Sequence, residues 1–324
     1  MMMTMKTPND DLQFDYSVCA VIFGADETLL KIKLKDDFQF VKCSLRSCNS
    51  NLEKYFDTND MGLLRDYQQA IVDKNSQEVI CAIKHKTYKR PLAKYTDQFY
   101  HDSDLDLISL DDQIRTIRLL EECPLRFKKI AFHLKIEDFF VGDNTRNSGT
   151  HNWIHPIGEA MNTKSISKFS CTESEIEEIN RQLAFISFPI QDEALNSCHM
   201  YYDLSYHTEK YISMTLLITA LEILFLKNDH GNKKEMLAKR CACYLYDEPQ
   251  IIRSTYDKLK DQYKKRSEFV HNGTVSGILD SDILFLRDCV RQSLLKAMNY
   301  NDTKVKRIDR IKNKAKQHND IFGE

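Results

Sequence analysis

The feature that most constrains the fold is an unbroken apolar segment, YISMTLLITALEILFL, at residues 211–226. It is 16 residues long and contains one acidic residue, Glu222. That length is short for a bilayer-spanning helix, and a carboxylate is costly inside a membrane. A helix that is apolar on nearly all sides is instead buried among other elements of a protein core. The segment therefore predicts the central helix of a bundle.

The residues up to Pro189 show a mixture of strand and helix patterns. β-Branched or alternating stretches predict strands at YSVCAVIFG, TLLKIKL, IAFHLKIEDFFV and FISFP. Helical spacing occurs in MGLLRDYQQAIVD, DDQIRTIRLLEEC and CTESEIEEINRQLAF, where Thr172 and Glu175 have the spacing of a capping box. The segment GDNTRNSGTHN is predicted to be a polar loop. KHKTYKRP is predicted to be a basic surface turn, with a nucleic-acid patch as the alternative.

After Pro189 the sequence has helical patterns only. Helices are predicted near residues 191–203, 206–228, 233–246, 250–271, 280–300 and 303–317, with breaks at residues 228–232, 247–249 and 272–277. The sequence therefore predicts an α+β fold. Its parts are a mixed α/β domain at residues 1–188 and an all-helical bundle with a basic C-terminal helix at residues 189–324.

The charge distribution bears on the class of partner. The chain has a formal net charge of −2 over 324 residues. Residues 1–185 contain 24 basic and 29 acidic side chains, whereas residues 186–324 contain 22 basic and 19 acidic ones. This asymmetry favours a polyanion partner for the second half, although it is far smaller than in a dedicated DNA-binding protein.

Compartment and cofactors follow from what the sequence does not contain. None of the 10 cysteines forms a CxxC pair, so free thiols in a reducing cytoplasm are expected. The first residues, MMMTMKTPNDD, have no apolar core of a signal peptide. Glycine-rich phosphate-binding patterns are absent, so no cofactor is expected. In THNWIHP, His151 and His155 could bind a metal and Trp153 a base, but a solvated loop is the simpler interpretation and no metal site is predicted.

The segment YKKRSEFVHNG, residues 263–273, contains the strongest candidate for chemistry. If it is helical, Arg266 and His271 lie about 140° apart on neighbouring faces. Histidine can transfer a proton near neutral pH, and arginine stabilises negative charge on phosphate oxygens. The pair suits metal-free RNA cleavage, in which the 2′-OH attacks the adjacent phosphorus. The alternative is an ordinary helix terminus with a capping histidine.

A polar stripe on the apolar helix strengthens this candidate. Thr215, Thr219 and Glu222 are spaced i, i+4, i+7 and share one face. A buried carboxylate requires a partner, and the planar guanidinium of Arg266 is a suitable one. Tyr263 lies on the same helix as Arg266 and is expected to line the cleft. One chain supplies a single His271, whereas efficient catalysis uses both an acid and a base, so a homodimer is expected.

Three short motifs in the same order resemble the HEPN superfamily, and most closely its ApeA-like branch. They are ALE ending at Glu222, LAKRCACYL around Arg240, and YKKRSEFVHNG. The resemblance covers roughly residues 190–300. It implies a four- or five-helix bundle that dimerises about the Arg/His helix. Many members are metal-independent endoribonucleases that act in phage defence or as toxins, and other members only bind or assemble.

The resemblance also implies roles for individual residues. Arg266 and His271 match the R-x4-H motif as catalytic residues, and Glu222 matches a recurrent acidic position. Ser267 departs from the Asn, Asp or His that is common after the arginine, although its hydroxyl can still form a hydrogen bond, and Asn272 is expected to assist. By analogy, residues 1–188 would be a sensor or regulatory domain that responds to a phage-derived trigger. An antitoxin partner is the alternative.

Basic residues provide the predicted contacts to the RNA backbone. Those on the Arg/His helix and at the start of the C-terminal helix are Lys264, Lys265, Lys304, Lys306 and Arg307. The alternative for the C-terminal helix is a solvated element that rests on the bundle through an apolar stripe of Val305, Ile308, Ile311 and Ala315.

Overall fold

In the computed structural model, the described residues are 11–44, 78–91, 95–141, 145–156, 168–226, 231–300, 304–317 and 322. They form an α+β protein with an antiparallel sheet in the N-terminal part and helices only in the C-terminal part. The chain divides into two compact units between Ile186 and Ser187. The sequence-predicted boundary lies two residues later, between 188 and 189.

The N-terminal unit is built on a five-stranded antiparallel sheet. The strands are β1 (Asp11–Ile22), β2 (Gln39–Ser44), β3 (Glu78–Pro91), β4 (Lys129–Val141) and β5 (Thr145–Pro156), in the spatial order β2-β3-β1-β4-β5. Alternate β1 side chains from Phe14 to Ile22 are fully or almost fully buried on one face. Because successive strand residues point to opposite faces, this alternation assigns one side of the sheet to the main core.

Two helices of this unit are α1 (Tyr95–Leu120) and α2 (Glu173–Phe185). In α1, Leu110, Ile114 and Ile117 have helical spacing and are fully buried in the main core. The predicted capping box at the start of α2 is present, since the Thr172 hydroxyl accepts from the Glu175 amide and the Glu175 carboxylate accepts from the Thr172 amide. This arrangement satisfies two backbone donors that the first helical turn leaves unpaired.

Strand β3 shows that KHKTYKRP is not a surface turn. Residues 84–91 belong to the strand, and Lys84 lies on the same face as the buried Ile80 and Ala82. Its ammonium lies 2.7 Å from the Asp106 carboxylate on α1, and both side chains are more than nine-tenths buried. The positive charge is therefore neutralised inside the unit, which explains how a basic segment can form an internal strand.

Three other local predictions were wrong. TLLKIKL was predicted to be a strand, but residues Glu27–Lys31 form a short 3-10 helix, because Asp26 caps the Thr28 amide. GDNTRNSGTHN was predicted to be a loop, but β5 begins at Thr145 and pairs with β4. As an edge strand of the described sheet, β5 tolerates polar residues. FISFP forms no strand. The helix predicted at MGLLRDYQQAIVD lies outside the described residues.

The C-terminal unit contains six described helices. They are α3 (Glu193–Leu204), α4 (Lys210–Phe225), α5 (Lys233–Leu245), α6 (Pro249–Asn272), α7 (Asp280–Tyr300) and α8 (Lys304–Gln317). The apolar helix predicted to be central is α4, and its Leu217, Ile218, Leu221 and Leu224 are fully buried. No helix in the described part of the chain is long and apolar enough to cross a bilayer.

Two buried arginines bind backbone carbonyls at the ends of α3 and α4. Arg287 on α7 donates to the carbonyl of Ser205, where α3 ends, at 2.6 Å, and its guanidinium lies 4.2 Å from the Tyr206 ring centre. Arg240 on α5 donates to the carbonyl of Phe225 at 2.7 Å, where α4 ends. A helix leaves its last carbonyls without intrahelical donors, so Arg240 satisfies one of them. This contact gives a structural reason for the arginine in LAKRCACYL.

Candidate functional site

Helix α6 positions the candidate residues because its C-terminal end is sharply defined. The helix ends at Asn272, and Gly273 adopts a left-handed conformation with φ of 68°. The Gly273 amide donates to the Phe269 carbonyl at 2.9 Å. Glycine adopts this conformation without the steric penalty of a Cβ atom, which favours a stop at this position. His271 therefore lies in the last turn, as predicted.

Neighbouring helices hold the C-terminal half of α6 in place. Gln262 donates to the Asp282 carboxylate at 2.8 Å, and the Lys265 ammonium lies 3.0 Å from the same group. Burial acts to raise the pKa of Asp282, but the Leu279 amide and Lys265 outweigh it, so the pKa lies below its ordinary value. Asp282 is therefore a charged anchor between α6 and the start of α7.

Contacts with α4 also hold α6 in place. The rings of Tyr211 and Phe269 lie 5.0 Å apart between their centres. One to two turns earlier on α6, Tyr263 and Arg266 reach Glu222 of α4. These contacts align the two helices that carry the predicted catalytic residues.

The centre of the candidate site is a cluster formed by Glu222, Tyr263 and Arg266, termed the Glu–Tyr–Arg cluster below. The Tyr263 hydroxyl donates to Glu222 Oε1 at 2.8 Å. The Arg266 Nη2 atom lies 3.8 Å from Glu222 Oε2, and the guanidinium carbon lies 5.8 Å from the Tyr263 ring centre. The predicted partnership of Glu222 with Arg266 is therefore present. The direct role of Tyr263 as a second partner is a finding of the structure.

The electrostatics of the cluster keep Tyr263 protonated at neutral pH. Burial, followed by the hydrogen bond to the charged Glu222, raises the pKa of Tyr263 to about 12. The side chains of Glu222 and Arg266 are 24% and 21% exposed, so an anion can approach from solvent. The ion pair at 3.8 Å is not a close bidentate contact, so the guanidinium retains donors for another acceptor.

The two threonines of the predicted polar stripe do not join this cluster. Thr215 donates its hydroxyl to the Tyr211 carbonyl at 3.1 Å, and Thr219 donates to the Thr215 carbonyl at 2.8 Å. Both hydroxyls therefore bond to the preceding turn of their own helix, which is a common way to satisfy Ser and Thr inside helices. Of the stripe, Glu222 is the residue that reaches Tyr263 and Arg266 of α6.

His271 lies apart from the cluster within one chain. Its side chain and that of Asn272 are exposed, and among the described residues no hydrogen bond or ion pair joins His271 to Arg266. Helix geometry places the two positions about 7.5 Å apart along the axis and about 140° apart around it. Ser267 is half-buried beside Arg266. One chain therefore presents the imidazole to solvent, away from the guanidinium.

Exposed apolar side chains occur on the segments around this helix end. Val270 is 48% exposed directly before His271, and Val275 and Leu279 follow in the α6–α7 connection with 48% and 57% exposure. Ile212, beside the Tyr211 that packs on Phe269, is 40% exposed. Apolar groups next to a polar site are typical of surfaces that are covered in an assembly.

The predicted RNA-binding residues have different environments. Lys264 and Lys306 are exposed, and Lys304 is half-buried. Lys265 is engaged by Asp261 and Asp282, each at 3.0 Å. The prediction fails for Arg307, whose side chain is 0% exposed and so cannot meet an RNA phosphate at the surface.

Arg307 is buried because of the way α8 packs on the bundle. Ile308, Ile311 and Ala315 are buried, so α8 rests on the bundle through the predicted apolar stripe. Arg307 is adjacent to Ile308 in sequence and is drawn into the same interface, near Cys198 of α3. The stripe was visible in the sequence, but the inclusion of an arginine in it was not.

Metal ligation finds no support in the described residues. No group of three or more His, Cys, Asp and Glu side chains that could hold a metal ion occurs among them. His151 and His155 both belong to the extended strand β5. Four residues of extended strand separate their Cα atoms by about 13 Å, which disfavours a shared ion.

Comparisons with known proteins identify no relative. Neither protein-family models, nor curated proteins, nor solved structures give a significant match to this chain.

Proposed function

We propose that this protein is a metal-independent endoribonuclease of the HEPN type that acts as a cytoplasmic homodimer. The observation that carries the proposal is the Glu–Tyr–Arg cluster, which holds Arg266 one to two turns before His271 on the same helix. A fixed cation and a solvent-facing imidazole carried by the same helix suit cleavage of a phosphodiester once two such helix ends meet. The order of the three HEPN-like motifs supports the same activity.

The proposed chemistry uses the substrate as its own nucleophile. A base accepts the proton of the ribose 2′-OH group, and the 2′-oxygen attacks the adjacent phosphorus. The bond to the 5′-oxygen breaks, and an acid donates a proton to that leaving oxygen. The products are a 2′,3′-cyclic phosphate and a 5′-OH end, and no water, metal or redox step is required.

Each residue of the site has a distinct role in this scheme. His271 transfers the protons, and Arg266 stabilises the additional negative charge on the phosphate oxygens in the transition state. Glu222 and Tyr263 orient the guanidinium through the contacts described above. Ser267 and Asn272 lie beside these groups on α6 and can donate hydrogen bonds to phosphate.

Dimerisation would supply the second histidine that the proposed mechanism uses. The mechanism uses an acid and a base, whereas one chain provides a single exposed His271 at this helix end. An isologous two-fold interface brings the same surface of both copies together. The exposed Val270 and Val275 beside the helix end would be covered by such an interface, and Lys264 would lie near the bound RNA.

The biological role that fits this activity is phage defence or toxin-mediated growth arrest. The N-terminal unit would then act as a sensor or regulatory domain that responds to a phage-derived trigger. In a toxin–antitoxin arrangement, a separate antitoxin would hold the nuclease inactive instead. Lys304 and Lys306 on α8 are proposed as additional contacts for the RNA backbone.

A second candidate is a non-catalytic module that dimerises and binds RNA. It is favoured by the separation of His271 from Arg266 within one chain and by the serine at position 267. In this case the Glu–Tyr–Arg cluster would stabilise the α4–α6 pair without chemistry. Specific RNA binding without cleavage by the wild-type protein would support this candidate.

The test compares purified variants on labelled single-stranded RNA in the presence of EDTA. Proton transfer by a positioned side chain contributes about 10²–10⁴-fold, so His271→Ala should lose at least about 100-fold in cleavage rate. His101→Ala, which removes another exposed histidine in the N-terminal unit, should cleave like the wild type. Cleavage by His271→Ala at the wild-type rate would exclude the assigned role.

Substrate chemistry provides an independent control. An all-DNA strand, or RNA with a single 2′-deoxyribose at the cleavage position, should survive because the internal nucleophile is missing. Mass analysis should find 2′,3′-cyclic phosphate and 5′-OH ends on the RNA products. Cleavage of DNA at a comparable rate, or a dependence on added divalent metal, would contradict the proposed mechanism.

A further inference from the structure

A second polar feature of the helical unit lies away from the Glu–Tyr–Arg cluster. It is a cleft of about 470 Å³ between α5 and α8, termed the α5–α8 cleft. Its lining comprises Met236, Lys239, Arg240, Asp309, Lys312, Asn313, Ala315 and Lys316. None of these residues belongs to the cluster or to the end of α6. The cleft is therefore a separate candidate binding site.

The packing of α8 creates the cleft. Ile311 and Ala315 point into the bundle, and the adjacent positions Lys312 and Lys316 are exposed. These two lysines are i, i+4 and share a face of α8, with their Cα atoms about 6 Å apart along the axis. Lys239 contributes from the opposite wall on α5.

The charged side chains that line the cleft are mostly basic. Lys239, Arg240, Lys312 and Lys316 line the cleft against a single acidic residue, Asp309. A concave surface lined by one sign of charge concentrates its field and attracts counter-ions of the opposite sign. The lining therefore selects an anionic ligand.

The remaining lining is suited to a nucleotide. Met236 and Ala315 add apolar surface to the cationic rim. The Lys239 ammonium lies 4.7 Å from the centre of the Phe322 ring, so an aromatic side chain lies next to the rim. Apolar and aromatic surface beside cationic groups can contact bases while lysines bind phosphates.

We propose that the α5–α8 cleft binds backbone phosphates of single-stranded RNA outside the cleavage site. This inference rests on the proposed function for the identity of the polymer. Lys312 and Lys316, one helical turn apart at the exposed edge, are placed to meet successive phosphates of an extended strand. Arg240 supports the wall, because its guanidinium is buried and bonded to the Phe225 carbonyl.

The test measures binding rather than cleavage, so that its outcome does not depend on the nuclease assignment. The full-length His271→Ala protein is titrated with fluorescent single-stranded RNA at several salt concentrations. The cleft variant adds Lys312→Glu and Lys316→Glu. The control variant adds Lys33→Glu and Lys168→Glu, two exposed lysines of the N-terminal unit, and has the same change in net charge.

The cleft variant should bind RNA about tenfold or more weakly at low salt and show a shallower dependence on salt, because fewer counter-ions are released. The RNA affinity of the control variant should stay within about twofold of that of the His271→Ala protein, because its two replaced lysines do not line the cleft. Equal affinities for all three proteins, or equal losses in both charge-reversed proteins, would overturn the proposal. Far-UV circular dichroism verifies that both variants are folded, and Lys239→Gln provides a milder second variant of the cleft.

Two further measurements distinguish RNA binding in the cleft from the binding of a free nucleotide and from RNA cleavage. AMP should not displace RNA at a matched phosphate concentration; displacement would assign the cleft to a free nucleotide and overturn the RNA assignment. In the catalytically intact background, the Lys312→Glu/Lys316→Glu change should leave cleavage of a dinucleotide unchanged while slowing cleavage of a long RNA. If the protein binds RNA through the cleft but never cleaves it, only the nuclease proposal fails.

Discussion

Replacement of Tyr263 by phenylalanine tests whether the Glu–Tyr–Arg cluster is a connected unit. The change removes the hydroxyl that donates to Glu222 at 2.8 Å and leaves the ring in place. A hydrogen bond to a charged group contributes about 1.5–3 kcal/mol when shielded from water. Because the Glu222 side chain is 24% exposed, water can replace part of this contact. We therefore expect a loss of about 1–1.5 kcal/mol in the free energy of unfolding.

The ion pair in the same cluster should contribute less. Arg266 lies 3.8 Å from the Glu222 carboxylate, with both side chains partly exposed. Pairs of this kind typically contribute up to about 1 kcal/mol. In a double-mutant cycle, the coupling of Tyr263→Phe with Glu222→Ala should therefore exceed the coupling of Arg266→Ala with Glu222→Ala. Urea unfolding of the helical unit, followed by far-UV circular dichroism, gives both values.

The pH dependence provides a second measurement of the same contact. The pKa of Tyr263 is raised to about 12 by burial and by Glu222, whereas an unfolded tyrosine titrates near about 10. A raised pKa means that the folded state holds the proton more tightly. The contribution of the hydroxyl is therefore complete below about pH 10 and is lost as the pH rises towards about 12.

The stability difference between the wild type and Tyr263→Phe should consequently shrink across that alkaline range. A coupling of Tyr263 with Glu222 below about 0.3 kcal/mol, within the additivity expected of independent sites, would refute the cluster. So would a stability difference that stays constant from neutral to strongly alkaline pH.

Three other expectations follow from the packing. Asp106→Ala should lower the free energy of unfolding of the N-terminal unit by about 3–5 kcal/mol in urea, because it removes the carboxylate that pairs with the buried Lys84. The control is Asp102→Ala, beside the more exposed Lys86, which should cost about 1 kcal/mol or less in the same urea unfolding assay. Gly24 and Gly277 both have positive φ, but a Cβ atom at Gly24 would lie 2.6 Å from a backbone carbonyl oxygen, whereas at Gly277 it would meet nothing within 4 Å. Gly24→Ala should therefore lower the temperature of thermal unfolding far more than Gly277→Ala. The nine described cysteines are all buried, so they should react with a thiol reagent such as DTNB only after unfolding.

The sequence predicted features that depend on local pattern or on a strong physical demand. The apolar segment predicted α4 as a core helix, because few other arrangements accommodate such a segment in water. The capping box at Thr172 was equally visible, since it involves residues three apart. The partnership of Glu222 with Arg266 was predictable because a carboxylate on a mostly buried helix requires a donor, and an arginine was available on a neighbouring amphipathic helix.

Features that depend on long-range geometry were not predictable in the same way. Tyr263 meets Glu222 across 41 positions of sequence, and periodicity alone does not define how two helices are rotated against each other. Arg307 resembled a surface residue because it lies in a basic stretch, yet the packing of α8 buries it. Lys84 appeared to belong to a surface turn because its neutralising partner, Asp106, lies on a separate helix.

Subunit mixing tests most directly whether two copies of His271 act together in one cleft. Wild type and His271→Ala are co-expressed with different tags in known ratios, and RNA cleavage is measured on the total purified pool. If one cleft requires both imidazoles of a two-fold dimer, activity follows the square of the wild-type fraction, so an equimolar pool retains about a quarter of the wild-type activity. A linear dependence, with about half of the activity retained at equal proportions, would contradict a shared cleft.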